Sequence, residues 1–331
     1  MEECSEYIDL SLPRFIPQFN CKELPLKNIK YILGPSVFYK YEIGGRNIYM
    51  FGEFHDELSR GIRYLTPDMT KYNTVLFSSF LTSLVKTNTE TKYDVMFENV
   101  FRFDKGGATS PFIVSVTPTI DKLTEDFHDC IFEAYREKCP YENMRIHYVD
   151  YRKNEAIHET KFKKLHAFVD NFYTIAETRE YDFLGEMTSE MLDILDSPKI
   201  KKQFNAIVDP NIRQKLYNFF RGNIESSSTW IKEDIQNGDI FNARELYILT
   251  VAQILDMYAL SRILRNFTDV KKGKQFAGTG KDVIYYAGKA HIDALRLFFE
   301  EDLKKYPIQS VTMPTNNYSF VKLDVEKTFG D

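Results

Sequence analysis

The chain has a single Trp and four Cys, and none of its cysteines stands in a CxxC pair. Cys4, Cys21, Cys130 and Cys139 are too widely spread for a zinc knuckle or a thioredoxin-type motif. In a chain this large they are expected as free thiols in a reducing compartment. Cys130 and Cys139 are close enough in sequence to pair, but the compartment weighs against it. Positive charge is not in excess either: 43 Lys and Arg against 48 Asp and Glu leave a net charge of -5. That provides no basic field to gather nucleic acid and no polybasic patch for anionic lipid. No apolar run approaches the length that spans a bilayer, and the acidic opening residues lack the apolar stretch of a signal peptide. These absences predict a cytoplasmic protein with neither nucleic acid nor membrane as partner.

With 331 residues, 43% of them hydrophobic, the chain can bury a sizeable core. Its 27 Phe and 21 Tyr are numerous, but a stacking platform for bases needs interleaved Lys and Arg, which are not found. The aromatic bias fits an AT-rich genome such as that of a large DNA virus, in which case the host cytoplasm is the expected location.

Residues 1–35 carry Pro13, Pro17, Pro25 and Pro35 with little periodicity and read as an extended arm. Residues 36–331 are expected to form one α/β domain, a mostly parallel central sheet flanked by helices. Alternating segments 37–43 and 47–51 around Gly44 and Gly45 predict a hairpin. A helix over 73–86, a strand over 93–97, a helix over 120–138 and a strand over 145–149 follow, the order of a parallel sheet with crossovers. Residues 155–270 are almost wholly helical and read as a large helical insertion packed on the sheet. Its last helix, 241–267, is apolar nearly all round and so buried. The basic, glycine-rich stretch 271–281 superficially suggests a phosphate cradle. It lacks the Lys-Ser/Thr ending of a P-loop and reads as a solvated loop. A strand over 282–287, a helix over 293–304 with Asp293 as its N-cap, and closing strands over 309–313 and 318–323 complete the chain.

Two Gly-x-x-His tetrads stand out, Gly52 to His55 and Gly288 to His291, each directly after an apolar strand. Chance supplies about 0.3 such tetrads at this composition, so the pair is a moderate signal. Ligands in open parallel sheets bind outside the carboxyl ends of the strands. Four strands end there in polar groups: Glu53 and His55, Glu98, Asp150, and His291. Neutral imidazole with carboxylate is a donor set for a divalent metal, whether zinc, manganese, cobalt or iron. The same groups suit general-base chemistry. Each has a structural rival: a strand-end histidine bonded only to backbone, an ion pair, or an Asp–Arg pair that fixes a loop. His147, within a strand, is read as structural, and His128, His158 and His166 as surface residues.

The segment Gly52-Glu53-Phe54-His55-Asp56 resembles the Gly-Glu-x-His-Asp signature of the ChaN-like haem-binding lipoproteins. The paired tetrads resemble the wider superfamily that includes the TIKI/TraB metalloproteases and, more distantly, the erythromycin esterases. The resemblance covers about 37–155 and 240–300. It implies an α/β core with a Glu after the second strand, which Glu98 matches. Asp150-Tyr151-Arg152 is similar to the group's Asp-x-Arg turn, and Arg244 matches its helix Arg loosely. The chain departs in lacking a secretion signal and in a spacing one residue shorter than the esterase version.

The reading that follows is a metal-dependent hydrolase of an amide, ester or peptide bond, acting on a small-molecule or peptide substrate. His55, Glu98 and His291 would hold the metal, and Glu53 would serve as general base or partner. Asp150 belongs to the same edge, and Arg152 or Arg244 would steady the oxyanion. The alternatives are a non-catalytic haem- or iron-binding protein, as the ChaN resemblance implies, and an interaction protein on a degenerate enzyme scaffold. Oligomeric state is not encoded in any motif.

Overall fold

A computed structural model describes residues 25–54, 74–98, 101–102, 112–113, 118–131, 138–149, 164–165, 167–169, 171–178, 181–267, 276, 278–313 and 320–329. Strands β2 (Val37–Ile43) and β3 (Arg46–Glu53) form the expected hairpin. Gly44 and Gly45 sit at φ 62° and 75°, where a side chain is disfavoured, as the tight turn between paired strands requires. β3 then pairs in parallel with β9 (Asp282–Gly288), β9 with β5 (Tyr93–Phe97), and β5 with β8 (Met144–Tyr148). β10 (Gln309–Thr312) runs antiparallel to β2 at the far edge. The sheet order is β10-β2-β3-β9-β5-β8, so β9, from late in the chain, lies inside the sheet between two strands from the first third of the chain. Every residue of β9 is buried, as expected for a parallel strand covered on both faces.

Strand alternation divides the core into two layers. On one face Phe38, Phe51, Val95, Phe97, Ile284 and Tyr286 pack under α1 (Phe77–Thr87) and α2 (Pro118–Asp126). On the other, Val37, Met50, Met96, Tyr285 and Ala287 meet the helical region. That region comprises α4 (Phe172–Thr178), α5 (Asp182–Leu195), α6 (Pro198–Asn205), α7 (Pro210–Gln236) and α8 (Ile240–Leu264). Its helix starts are set locally. Ser197, Asp209 and Asp239 cap α6, α7 and α8 through their side-chain oxygens, and Pro198 and Pro210 open the first two. The fold is α/β, with a mostly parallel sheet between helical layers.

Several local expectations are corrected. Tyr31–Leu33 is no part of a loose arm but a strand, β1, central to a three-stranded sheet between β4 (Thr74–Leu76) and β11 (Phe320–Lys322). Three residues are too few to show periodicity. The helix expected from residue 73 begins only at Phe77, because Thr74–Leu76 pairs with β1 instead. The helix expected over 120–138 is broken at Phe127, between α2 and the short α3 (His128–Ile131). Cys130 and Cys139 are joined as a disulfide rather than left as free thiols, a bond characteristic of an oxidising environment. Cys4 and Cys21 lie outside the described residues. α8 is long and apolar enough to cross a bilayer by length and composition, although polar residues interrupt its apolar run; 61% of that stretch is buried within the fold.

Candidate active site at the carboxyl edge of the sheet

The parallel strands β3, β9 and β5 end side by side. Glu53, the last residue of β3, is level with Gly288, the last residue of β9. Phe97, which ends β5, is level with Tyr286. The chain continues from Gly288 directly into α9 (Lys289–Leu297), so His291 lies in the first turn of that helix and not ahead of it. Asp293, expected as a cap, is inside the helix and pairs with Lys289. Gly52 is needed where β3 meets α9. A Cβ there would fall 2.6 Å from Val37 Cγ2, 3.0 Å from Ile292 Cγ1 and 3.3 Å from the Lys289 Cα.

Glu98, one residue beyond β5, is held from two sides. Its own N–H donates to the Tyr286 carbonyl at 3.0 Å, and its Oε2 accepts the Gly288 N–H at 3.0 Å. The other oxygen, Oε1, lies 3.3 Å from His291 Nε2. The opposite ring nitrogen, Nδ1, is 2.8 Å from Asp256 Oδ1 on α8. All three side chains are buried: Glu98 is 2% exposed, Asp256 3% and His291 6%. Burial opposes a charge on the ring. The Asp256 and Glu98 carboxylates on either side outweigh it and hold the His291 pKa up at about 10.

Glu53 turns the other way. It shares the parity of Phe51, and its Oε2 accepts a hydrogen bond from the Tyr286 hydroxyl in the core layer under α1. Burial, followed by the Glu53 charge, raises the Tyr286 pKa well above its ordinary value, so the phenol stays protonated and donates. Glu53 and His291 therefore share an edge of the sheet but not a face. Arg244 is brought to neither. It lies 3.4 Å from Glu245 and over the Tyr173 ring, about 18 Å along α8 from Asp256 at about 1.5 Å per residue. His55, Asp150 and Arg152 lie outside the described residues.

No protein-family model matches the chain, and no match was found among curated proteins or solved structures.

The site is therefore read from its own geometry. Among the described residues, no group of three or more His, Cys, Asp or Glu side chains is placed to hold a metal ion. His291 Nε2 and Glu98 Oε1 converge as an ion pair, the ring protonated at neutral pH, with Asp256 at its far side.

Asp256 escaped the reading of the sequence, yet it carries a signal. Between 246 and 264 the only charged residues are Asp256 and Arg262, set in an otherwise apolar and largely buried helix. Each bonds a histidine. Arg262 Nη2 lies 2.7 Å from Nδ1 of His147 on β8, the strand at the edge of the sheet beside β5. There His147 Nε2 is 3.0 Å from Asp94 Oδ1. Asp94 also accepts from Arg145 at 2.8 and 2.6 Å, from Arg46 at 3.1 Å and from the Gly280 N–H at 2.8 Å. Burial would raise the Asp94 carboxyl, but His147 and Arg145 reverse this and hold it well below the ordinary carboxylate range. Burial, with the Arg262 charge adding to it, lowers the His147 pKa to about 3. Neutral His147 thus donates to Asp94 through Nε2 and accepts from Arg262 through Nδ1. Phe267 stacks on the His147 ring at 5.0 Å. Gly280, expected in a solvated loop, is buried against Asp94, and a Cβ there would meet the Asp94 N and Oδ2 at 2.9 Å. This second cluster is a latch in which both His147 ring nitrogens are bonded within the fold.

Proposed function

We propose that the chain is a metal-dependent hydrolase of an ester, amide or peptide bond, centred on His291 and Glu98. The observation that supports this most is their division of labour. Each has one polar atom tied back into the fold, His291 Nδ1 by Asp256 and Glu98 Oε2 by Gly288. Each turns its other atom to the same point at the carboxyl edge, where the two pair directly. Loss of the ring proton would let these atoms, 3.3 Å apart, hold one ion. Two ligands of a tetrahedral site with bonds of about 2.0–2.1 Å stand about 3.3–3.4 Å apart. The donor chemistry fits zinc, manganese, cobalt or iron(II). His55 is the third donor in this reading, since the strand that precedes it neighbours β9 in parallel register.

A bound divalent ion would supply hydroxide near neutral pH and polarise the scissile carbonyl. The chain's own residues supply the rest. Gly288 and Asp256 keep Glu98 and His291 from rotating away. Asp150 and Arg152 follow β8, the edge strand beside β5, and Arg152 is assigned to the developing oxyanion. Glu53, turned to Tyr286, and Arg244, remote on α8, take no part in the chemistry.

The test is metal analysis of purified protein, with hydrolysis of chromogenic esters and amides measured in parallel. One bound ion per chain is expected, with loss of binding and hydrolysis in His55→Ala, His291→Ala and Glu98→Gln. Protein that carries no metal, takes up none on addition and behaves the same in all three variants would remove the proposal. A saturable Soret shift on haem addition, with no hydrolysis, would favour a haem-binding role instead.

A further inference from the structure

Asp256 does not belong to the sheet edge at all. It comes from the middle of α8, in the helical region, and reaches His291 across the packing between α8 and α9. A carboxylate 3% exposed within an apolar helix is destabilising unless a specific partner compensates it. Here the partner is the ring nitrogen facing away from Glu98.

We infer that Asp256 is a positioning residue, which fixes the His291 ring with Nδ1–H toward α8 and Nε2 toward Glu98. The helical region is then a component of the site rather than a cover for one face of the sheet. This rests on the metal reading for its consequence but not for its geometry. A histidine that binds metal through one nitrogen is held in orientation by a carboxylate on the other, and removing that carboxylate weakens metal binding about 10–100-fold. The comparison with Arg262 sharpens the point. His147 has both ring nitrogens satisfied within the latch, Nδ1 by Arg262 and Nε2 by Asp94. His291 instead has a carboxylate on each ring nitrogen, Asp256 of α8 on Nδ1 and Glu98 at the strand ends on Nε2.

The experiment measures zinc and manganese affinity by equilibrium dialysis in the full chain, in Asp256→Asn, in Asp256→Glu and in His291→Ala. Circular dichroism and thermal melting confirm that each variant is folded. Independently of metal, the hydrogen-bonded Nδ1 proton of His291 is observed by nitrogen-correlated NMR. Asp256→Asn, whose neutral oxygen still accepts but more weakly, is expected to bind metal about 10–100-fold more weakly and to shift the Nδ1 proton resonance upfield. Asp256→Glu, which keeps the charge, is expected to recover part of both, and it carries the test should Asp256→Asn fail to fold. If His291→Ala abolishes binding while both Asp256 variants bind as the parent and keep the resonance, the positioning role is wrong and the metal reading stands. If the parent binds no metal, the metal reading fails. The positioning role then stands or falls on whether the Nδ1 resonance, present in the parent, shifts in Asp256→Asn and returns toward its parent position in Asp256→Glu.

Discussion

Replacing Asp94 by Asn removes one negative charge and almost no volume, at a position where the charge is surrounded. The Asp94 side chain is fully buried, with Arg145 3% and Arg46 12% exposed beside it. Asn keeps one carbonyl oxygen to accept from Arg145 and His147. The NH2 that replaces its other oxygen accepts from neither Arg46 nor the Gly280 N–H, and the buried Arg145 guanidinium loses its carboxylate partner. Breaking a buried pair from one side costs about 3–5 kcal/mol, because the remaining charge stays desolvated. For a chain of this size that corresponds to a fall in Tm of roughly 6–20 °C, at about 2–4 °C per kcal/mol. The assay is urea unfolding followed by circular dichroism, with Arg244→Ala as the control. Arg244 and Glu245 are 28% and 46% exposed, and their loss should cost less than about 1 kcal/mol. If Asp94→Asn unfolds at the same urea concentration as the control, the latch is not buried as described and the energetic reasoning is wrong.

Three further outcomes follow from particular contacts. His147 has a folded pKa of about 3 against an ordinary 6.5, so the unfolded chain takes up its proton first. Its contribution is complete above pH 6.5 and declines as pH falls toward 3, by about 3 kcal/mol at pH 4.5 on the linkage relation; His147→Gln should flatten that part of the stability-versus-pH curve, and an unchanged slope would refute the assignment. Gly52→Ala should destabilise by about 1–3 kcal/mol through overpacking, because its methyl would enter the 2.6 Å gap to Val37; a melting temperature within error of the parent would show that β3 and α9 can part easily. Reducing the Cys130–Cys139 bond, which closes a loop with a sequence separation of 9, should lower stability by about 2–3 kcal/mol. Thiol titration of the unfolded, unreduced chain checks whether that bond is present.

Much of the fold is legible along the chain because its causes are local. The Gly44–Gly45 turn needs positive φ at both residues, and adjacent residues decide that. The largely apolar runs of β5 and β9 mark strands covered on both faces, and the apolar circumference of α8 marks a helix within a core. Glu98 and His291 were likewise identifiable, since a polar residue directly after an apolar strand falls at a sheet edge whatever the topology. Short pieces were not legible: β1 and β4 have three residues each, and pairing with each other, rather than pattern, makes them strands.

Long-range arrangement decided the rest. Nothing local in 282–288 says that this strand lies between β3 and β5, and that order is what carries His291 to Glu98. Glu53 and Glu98 look equivalent as strand-end carboxylates. Side-chain parity sends Glu53 to Tyr286 on one face, while Glu98 meets the ring on the other. Asp256 and Arg262 could be seen as two charges in a buried helix, but their partners lie on strands or helices distant in the chain. Periodicity reports which face of an element is covered; only the packing of whole layers determines what covers it, and the two α8–histidine contacts arise from that packing.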